Sequence, residues 1–321
     1  MTATAGQVPS TFADLFDGIV QNVERVVQGK PEVVELALIC LLAEGHLLIE
    51  DVPGVGKTSL AKALATSIDA SWKRVQFTPD LLPSDVVGVT VWNRGKDAFE
   101  FRPGPVFSNI VLADEINRAS PKTQAALLES MEERQATIDG TTYPLRSPFV
   151  VMATQKRVEQ EGTFPLPESH LDRFLMRLSI GYPGREAELA ILDTHGGGTA
   201  IAELSPVANL AQVKGMIEAV RTVHVAPPVK AYLVDLAIAT RRHSAIALGM
   251  SPRATLSLLR AARARAAAAG RNYVTPDDVK ALAEPVLGHR LLLNPEAQLQ
   301  GGTAARVLEE ILATVPVPTA R

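Results

Sequence analysis

His46-Leu-Leu-Ile-Glu-Asp-Val-Pro-Gly-Val-Gly-Lys-Thr58 is an apolar run that empties into a short loop holding two glycines, a lysine and a threonine. A helical pattern follows over residues 59–67. Gly54 and Gly56 have the chemistry for a loop that binds phosphate. Backbone without side chains can turn tightly enough to aim successive N–H groups at phosphate oxygens. Lys57 is then placed to neutralise the β- and γ-phosphates of a nucleotide, and the Thr58 hydroxyl suits a bound Mg²⁺. The following helix points its positive end at the same oxygens. Pro53, Gly54, Val55, Gly56, Lys57, Thr58 and Ser59 are therefore the candidate ATP-binding residues. The strict Walker A pattern begins with a glycine, and here Asp51 stands in its place. A carboxylate so close to triphosphate is tolerable only if it faces away. A dinucleotide fingerprint fits less well, because Gly54-Val-Gly56 lacks the third glycine.

A second motif complements the loop. Ile110-Val-Leu-Ala-Asp114-Glu115 is an apolar strand ending in two carboxylates, the Walker B form. Alone it would read as the start of a loop. Downstream of a phosphate-binding loop, Asp114 is expected to hold magnesium through water, and Glu115 to orient and deprotonate the attacking water.

Around these motifs strands and helices alternate. Apolar runs at 46–50, 74–77, 110–114, 149–154 and 175–180 have the character of buried parallel strands, which predicts an α/β layered domain. Two antiparallel hairpins are added to it, 89–92 with 99–102 and 135–138 with 141–145, the latter around the Asp139-Gly140 turn. The turn cluster Gly181-Tyr-Pro-Gly-Arg185 closes this half. Helical periodicity dominates afterwards, over 186–194, 208–221, 230–243, 252–269 and 277–287. Ser251-Pro252 and Thr275-Pro276 each set a capping residue before proline at the first helical position. Gly196-Gly197-Gly198 is expected to form a mobile loop. The expected domains are an α/β core over 1–181 and an all-helical lid over 182–321.

Composition narrows the class. The chain has 321 residues, 46% hydrophobic, enough for a real core, and its net charge of −3 is spread without the basic stripe of a non-specific nucleic-acid binder. The most apolar stretch, 33–43, is interrupted by Glu35 and is far shorter than the roughly 20 residues of a membrane span. The amino terminus lacks the pattern of a secretory signal, and the chain has one cysteine, Cys40, on an apolar helix; both point to the cytoplasm. Ser169, His170 and Asp172 lie too close together on one segment to converge as a catalytic triad. The histidines show no metal-ligand spacing.

With these residues placed, the chain resembles the MoxR family of AAA+ ATPases over nearly its whole length. The resemblance is carried by residues 51–58, Val75-Gln-Phe-Thr-Pro-Asp-Leu-Leu-Pro-Ser-Asp-Val-Val-Gly88, Phe101-Arg-Pro-Gly-Pro105, Ala113-Asp-Glu-Ile-Asn-Arg-Ala119 and Pro165-Leu-Pro-Glu-Ser-His-Leu-Asp-Arg-Phe174. It implies that the first hairpin is the helix-2 insert and the second the pre-sensor-1 hairpin. It also implies that Arg173 is an arginine finger for a neighbouring subunit's γ-phosphate, a task suited to an always-charged, forked donor. Arg253 matches the sensor-2 arginine that ties lid closure to bound nucleotide. The family usually places asparagine, then proline, after Ala-Thr-Gln, whereas this chain reads Ala153-Thr-Gln-Lys-Arg157. Lys156 therefore takes the sensor-1 position. An ammonium donates but cannot accept from water, so ATP binding is expected to survive and hydrolysis to weaken. Gln76 is expected to hydrogen-bond Glu115 and hold it away from water in an inactive state.

The resemblance implies a ring, in this class a hexamer, in which ATP hydrolysis drives a chaperone-like remodeller of a protein client, commonly with a partner bearing a von Willebrand factor A domain. Two rivals stand beside it. A nucleic-acid motor would need a basic, aromatic insert; Trp92, Arg94, Lys96 and Arg102 supply some of that, offset by Asp97 and Glu100, and salt-dependent binding of single-stranded DNA would decide. A scaffold assembled by nucleotide would show little turnover.

Overall fold

The computed structural model describes residues 10–155, 163–195 and 201–318, so the Gly196–Gly198 expectation lies outside the described residues. In chain order its first strands are β1 (Leu47–Glu50), β2 (Trp72–Gln76), β3 (Gly88–Asn93), β4 (Ala98–Pro103), β5 (Ile110–Asp114), β6 (Gln135–Ile138), β7 (Thr141–Pro144), β8 (Val150–Gln155) and β9 (Met176–Leu178). Five of them form one parallel sheet in the order β2-β5-β8-β1-β9. β3 pairs with β4, and β6 with β7, as separate antiparallel hairpins.

Strand residues are apolar on both faces because both faces are covered. Leu47, Ile49, Ile110, Leu112, Val150 and Met152 point one way, into a core shared with the helices Ser10–Glu24, Pro31–Leu42 and Lys57–Ser67. Their alternates Leu48, Val111, Ala113, Val151 and Ala153 point the other way, onto Leu127, Leu128 and Met131 of the helix Pro121–Glu133. Cys40 is fully buried in the first core, where burial pushes its thiol up to about 12, so it behaves as a small hydrophobe. The register brings Gln76, Asp114 and the Thr154 row together at the carboxyl ends of the strands, beside the end of β1 from which the glycine loop departs. In open α/β sheets this is the edge that binds ligands.

The second half is built on the helices Leu210–Thr222, Pro227–Arg242, Pro252–Ala268 and Pro276–Leu287, with shorter ones at Pro295–Leu299 and Ala304–Thr314. Ser251 caps its helix by accepting the Ala254 N–H at 3.0 Å, and Thr275 with Asp278 forms a reciprocal capping box. Ala261, Ala262, Ala264, Ala266 and Ala267 are wholly buried, so the alanine-rich helix does more than favour helicity. Its small side chains let it run through the middle of the bundle. The lid also carries a short antiparallel pairing of β10 (Ile246–Leu248) with β11 (Leu292–Leu293). The lid docks on the core through contacts of Pro252–Ala268 with Ser10–Glu24 and Pro31–Leu42, and of Pro276–Leu287 with β9.

Candidate nucleotide site

Gly54 and Gly56 sit at φ +87° and +96°, in the left-handed region that a side chain resists. Gly56 is the residue at the start of Lys57–Ser67, so the first N–H groups of that helix open into a cavity of about 400 Å³ at the sheet's carboxyl edge. Pro53, Gly54, Gly56, Lys57, Thr58 and Ser59 line this cavity from the loop side, and Asp114 and Glu115 line it from the sheet. Val55 faces an adjoining space of about 210 Å³, bounded by Val26, Val27, Ile180, Pro183 and Ile191, which shares Gly54, Gly56 and Ser59 with the first. Sequence spacing gave no sign of that apolar annex, because its walls come from segments far apart in the chain.

Lys57 folds back so that its ammonium donates to the carbonyls of Asp51 at 3.0 Å and Val52 at 3.1 Å. Asp51 also lines the cavity, but its carboxylate is tied off by neighbouring donors. One carboxylate oxygen accepts the Val52 N–H at 2.8 Å, and the other accepts the Gly181 N–H at 2.7 Å and the Ser179 hydroxyl at 3.1 Å. Burial pushes its pKa up, but these donors outweigh burial and hold the carboxyl below its ordinary value. Where the strict pattern has glycine, this chain has a strap from the loop to the exit of β9.

The two carboxylates of the Walker B strand are organised by Thr154, which is 1% exposed. Its hydroxyl donates to Asp114 Oδ1 at 2.6 Å and accepts the Glu115 N–H at 2.9 Å. Glu115 itself lies at φ +56°, ψ +50°, a left-handed geometry that costs a non-glycine residue about 1 kcal/mol or more and is concentrated at functional sites. Its Oε2 pairs with Arg118 at 3.0 Å. Arg74 contacts Asp114 Oδ2 through Nη2 at 2.6 Å and Nε at 3.2 Å. The amide oxygen of Gln76, expected to serve Glu115, accepts from that same Arg74 at 3.0 Å. Lys156, the predicted sensor-1 residue, lies outside the described residues. Its neighbour Gln155 donates to Glu50 at 3.3 Å, and Glu50 also pairs with Arg177 at 3.3 Å.

Arg173 and Arg253 are brought together, but in a different cavity. Both guanidiniums pair with Glu132, Arg173 at 3.2 Å on one oxygen and Arg253 on the other. The surrounding space of about 210 Å³ is walled by Glu44, Gly45 and His46, which precede β1, and shares no lining residue with the phosphate cavity. The two arginines thus stand at the amino ends of the strands, about 13 Å of β1 away from the glycine loop. The lid helix that carries Arg253 has docked behind the sheet rather than over the loop, while Pro183 and Ile191 stand beside the loop. Beneath them His46 is fully buried, accepting the Val151 N–H at 3.0 Å and donating to the Met131 carbonyl at 3.1 Å. Burial, reinforced by the Arg134 charge, pushes its pKa down to about 3.

Comparison with known proteins agrees with this fold. Residues 46–176 match the family described as ATPase family associated with various cellular activities (AAA), and residues 238–311 match the AAA lid domain. A Bacillus subtilis protein named YeaC is 50% identical over 94% of each chain. Chaperone MoxR1 of Mycobacterium tuberculosis is 39% identical, covering 92% of this chain and 81% of its own. A crystal structure from Cytophaga hutchinsonii superposes with a TM-score of 0.90 at 38% identity, covering 96% of both chains. The chain belongs to the MoxR family of AAA+ ATPases.

Proposed function

We propose that this protein binds ATP with Mg²⁺ in the cavity at the sheet's carboxyl edge, hydrolyses it within a hexameric ring, and uses the energy to remodel a protein client in the cytoplasm. The observation that carries the reading is the convergence of Lys57, Thr58, Asp114 and Glu115 on one cavity at a helix amino terminus. The loop N–H groups and Lys57 would hold the β- and γ-phosphates, Lys57 leaving the two carbonyls it now contacts. The apolar annex beside Val55 has the size and character for the adenine base. The Thr58 hydroxyl and the Asp114 carboxylate are a hard oxygen donor set lining the same cavity, and they fit Mg²⁺. When bound, the ion would neutralise charge on the phosphate oxygens. Arg74 would release one Asp114 oxygen on loading. Glu115, held by Thr154 and paired with Arg118, would draw the proton from the attacking water.

Arg173 and Arg253 face away from their own subunit's cavity, so we assign both to the γ-phosphate of a neighbour, which makes turnover depend on the ring. Core and lid, 1–181 and 182–321, would be the two moving parts, and the β3–β4 and β6–β7 hairpins the surfaces offered to a client or to a partner with a von Willebrand factor A domain. The name of the chaperone relative supports a remodelling role. Lys156 at the sensor-1 position would weaken hydrolysis while sparing binding.

The test is ATP turnover per subunit across a range of protein concentrations. Turnover should rise steeply as the ring forms, fall at least 100-fold in Glu115→Gln, and increase several-fold in Lys156→Asn. Turnover that is independent of concentration would refute the ring-gated reading, and an unchanged kcat in Lys156→Asn would refute the sensor reading.

A further inference from the structure

Arg290 belongs to the lid, yet its side chain is only 3% exposed and its guanidinium is spent almost entirely on the segment that carries Arg173. Nε donates to Asp172 Oδ1 at 2.7 Å. Nη1 donates to the Leu175 carbonyl at 3.0 Å and to the Val286 carbonyl. Nη2 reaches the Phe174 carbonyl at 2.6 Å, the Asp172 carbonyl at 3.1 Å and the Ser257 hydroxyl at 3.4 Å. A guanidinium has five N–H donors in a fixed fork, and burying it is strongly unfavourable unless those donors are matched. Here the matching acceptors are largely the backbone on either side of residue 173. Next to it, His289 donates to the Phe174 carbonyl at 3.1 Å.

A second lid group holds the same point. Ser251 donates to Asp172 Oδ2 at 3.4 Å while capping the helix Pro252–Ala268, whose first turn carries Arg253. Asp172 is thus gripped by two lid residues, and the side chains beyond it, Arg173 and Arg253, emerge together on Glu132. Ordinary surface docking of a lid would not need a buried cation aimed at three backbone carbonyls within four residues.

We infer that Arg290 is a positioning residue: it locks residues 172–175 to the lid, so that Arg173 projects in fixed register with Arg253 and lid movement in one subunit displaces the finger offered to the next. The inference rests on the assignment of Arg173 to a neighbour's γ-phosphate. Nothing in the phosphate cavity of its own subunit touches Arg290, so its loss should act across the interface rather than at home. Lysine at this position keeps the charge opposite Asp172 but cannot fork to the carbonyls.

The experiment compares full-length Arg290→Lys, Asp172→Asn and Arg173→Ala by nucleotide affinity, particle mass and steady-state turnover. Mixed rings with Glu115→Gln subunits are then assayed. Such a subunit cannot hydrolyse but still presents an intact Arg173. Arg290→Lys is expected to keep its ring mass and its nucleotide Kd within about twofold, and to lose roughly tenfold in kcat with KM little changed, the scale expected when a catalytic group is displaced by a fraction of an ångström. Asp172→Asn should lie in the same direction. Adding Glu115→Gln subunits should restore turnover to the Arg290→Lys sites, whereas Glu115→Gln subunits that also carry Arg173→Ala should not. Wild-type kcat in Arg290→Lys, a deficit that intact fingers from neighbours do not relieve, or loss of the ring in both Arg290→Lys and Asp172→Asn would each overturn the inference. If Arg173→Ala itself turned over normally, the finger assignment would fail first, and that result is separable from the others.

Discussion

Thr154 is a small residue on which two larger ones depend. Its hydroxyl serves Asp114 and the Glu115 N–H at once, and the residue is 1% exposed. Thr154→Val keeps the shape and removes the hydroxyl, so the part-buried Glu115 N–H and one Asp114 oxygen each lose a hydrogen bond. Stability should drop by about 1–3 kcal/mol, and kcat should fall by roughly tenfold or more, with nucleotide affinity nearly intact. Denaturant unfolding and steady-state kinetics measure the two effects separately; equal losses of binding and turnover would argue against a role confined to the carboxylate pair. His46 makes a prediction in pH. Its folded pKa of about 3 lies below the free value of 6.5, so between these limits the unfolded chain holds the extra proton. Stability therefore falls as pH drops below about 6.5, by about 2 kcal/mol at pH 5 from this residue alone. His46→Gln should show a shallower loss of stability from pH 7 to pH 5 than the wild type in parallel urea titrations. Such residues also mark what the sequence conceals. Asp51 is visible as a departure from the phosphate-loop pattern, but its partner Gly181 is 130 residues away, and only strand order puts β1 beside β9. Thr154 and Arg74 become neighbours of Asp114 through register, which no motif spacing records.

The elements themselves were far more legible. The central strands β1, β5 and β8 are apolar on both faces, the edge strand β2 keeps Lys73, Arg74 and Gln76 exposed, and both hairpins lie where alternation and the Asp139-Gly140 turn put them. The helix Ser10–Glu24 is not among the elements expected from the sequence, although Phe12, Phe16, Ile19 and Val23 are spaced to bury one face of it. Less visible is that the two hairpins are joined. Phe101 of β4 stacks on Tyr143 of β7 with ring centroids 4.2 Å apart and an interplanar angle of 18°, and Phe107 meets Phe101 edge-on at 5.3 Å. A stacked aromatic pair contributes about 0.5–1.5 kcal/mol beyond its buried area, which is enough to make the hairpins move as one surface. Tyr143→Ala should therefore speed amide exchange in β3–β4 as well as in β6–β7 by several-fold, while leaving β5 and β8 protected. Faster exchange confined to β6–β7 would show the hairpins to be independent.

At the scale of the whole molecule, the placement of the lid decides how charge is distributed, and sequence patterns say little about it. A sensor arginine at the head of a lid helix reads equally well over the glycine loop or behind the sheet. Hydrogen bonds from Ser251 and Arg290 to Asp172 fix the second arrangement. One carboxylate, Glu132, then faces two guanidiniums, Arg173 and Arg253, with Arg134 and Arg260 on the same cavity wall. The patch keeps a surplus of positive charge and should attract a phosphate-bearing surface, but Glu132 competes with that surface for both arginines. Partly exposed pairs of this kind contribute about 0.2–1 kcal/mol each, so freeing both corresponds to a change of several-fold in affinity. Glu132→Gln is expected to tighten ATP-dependent association of subunits by that factor and to steepen its decline with added salt, read by particle mass across a dilution series at low and moderate ionic strength. Weaker association in Glu132→Gln would mean the carboxylate aims the two arginines for the neighbour's phosphate instead of holding them back from it.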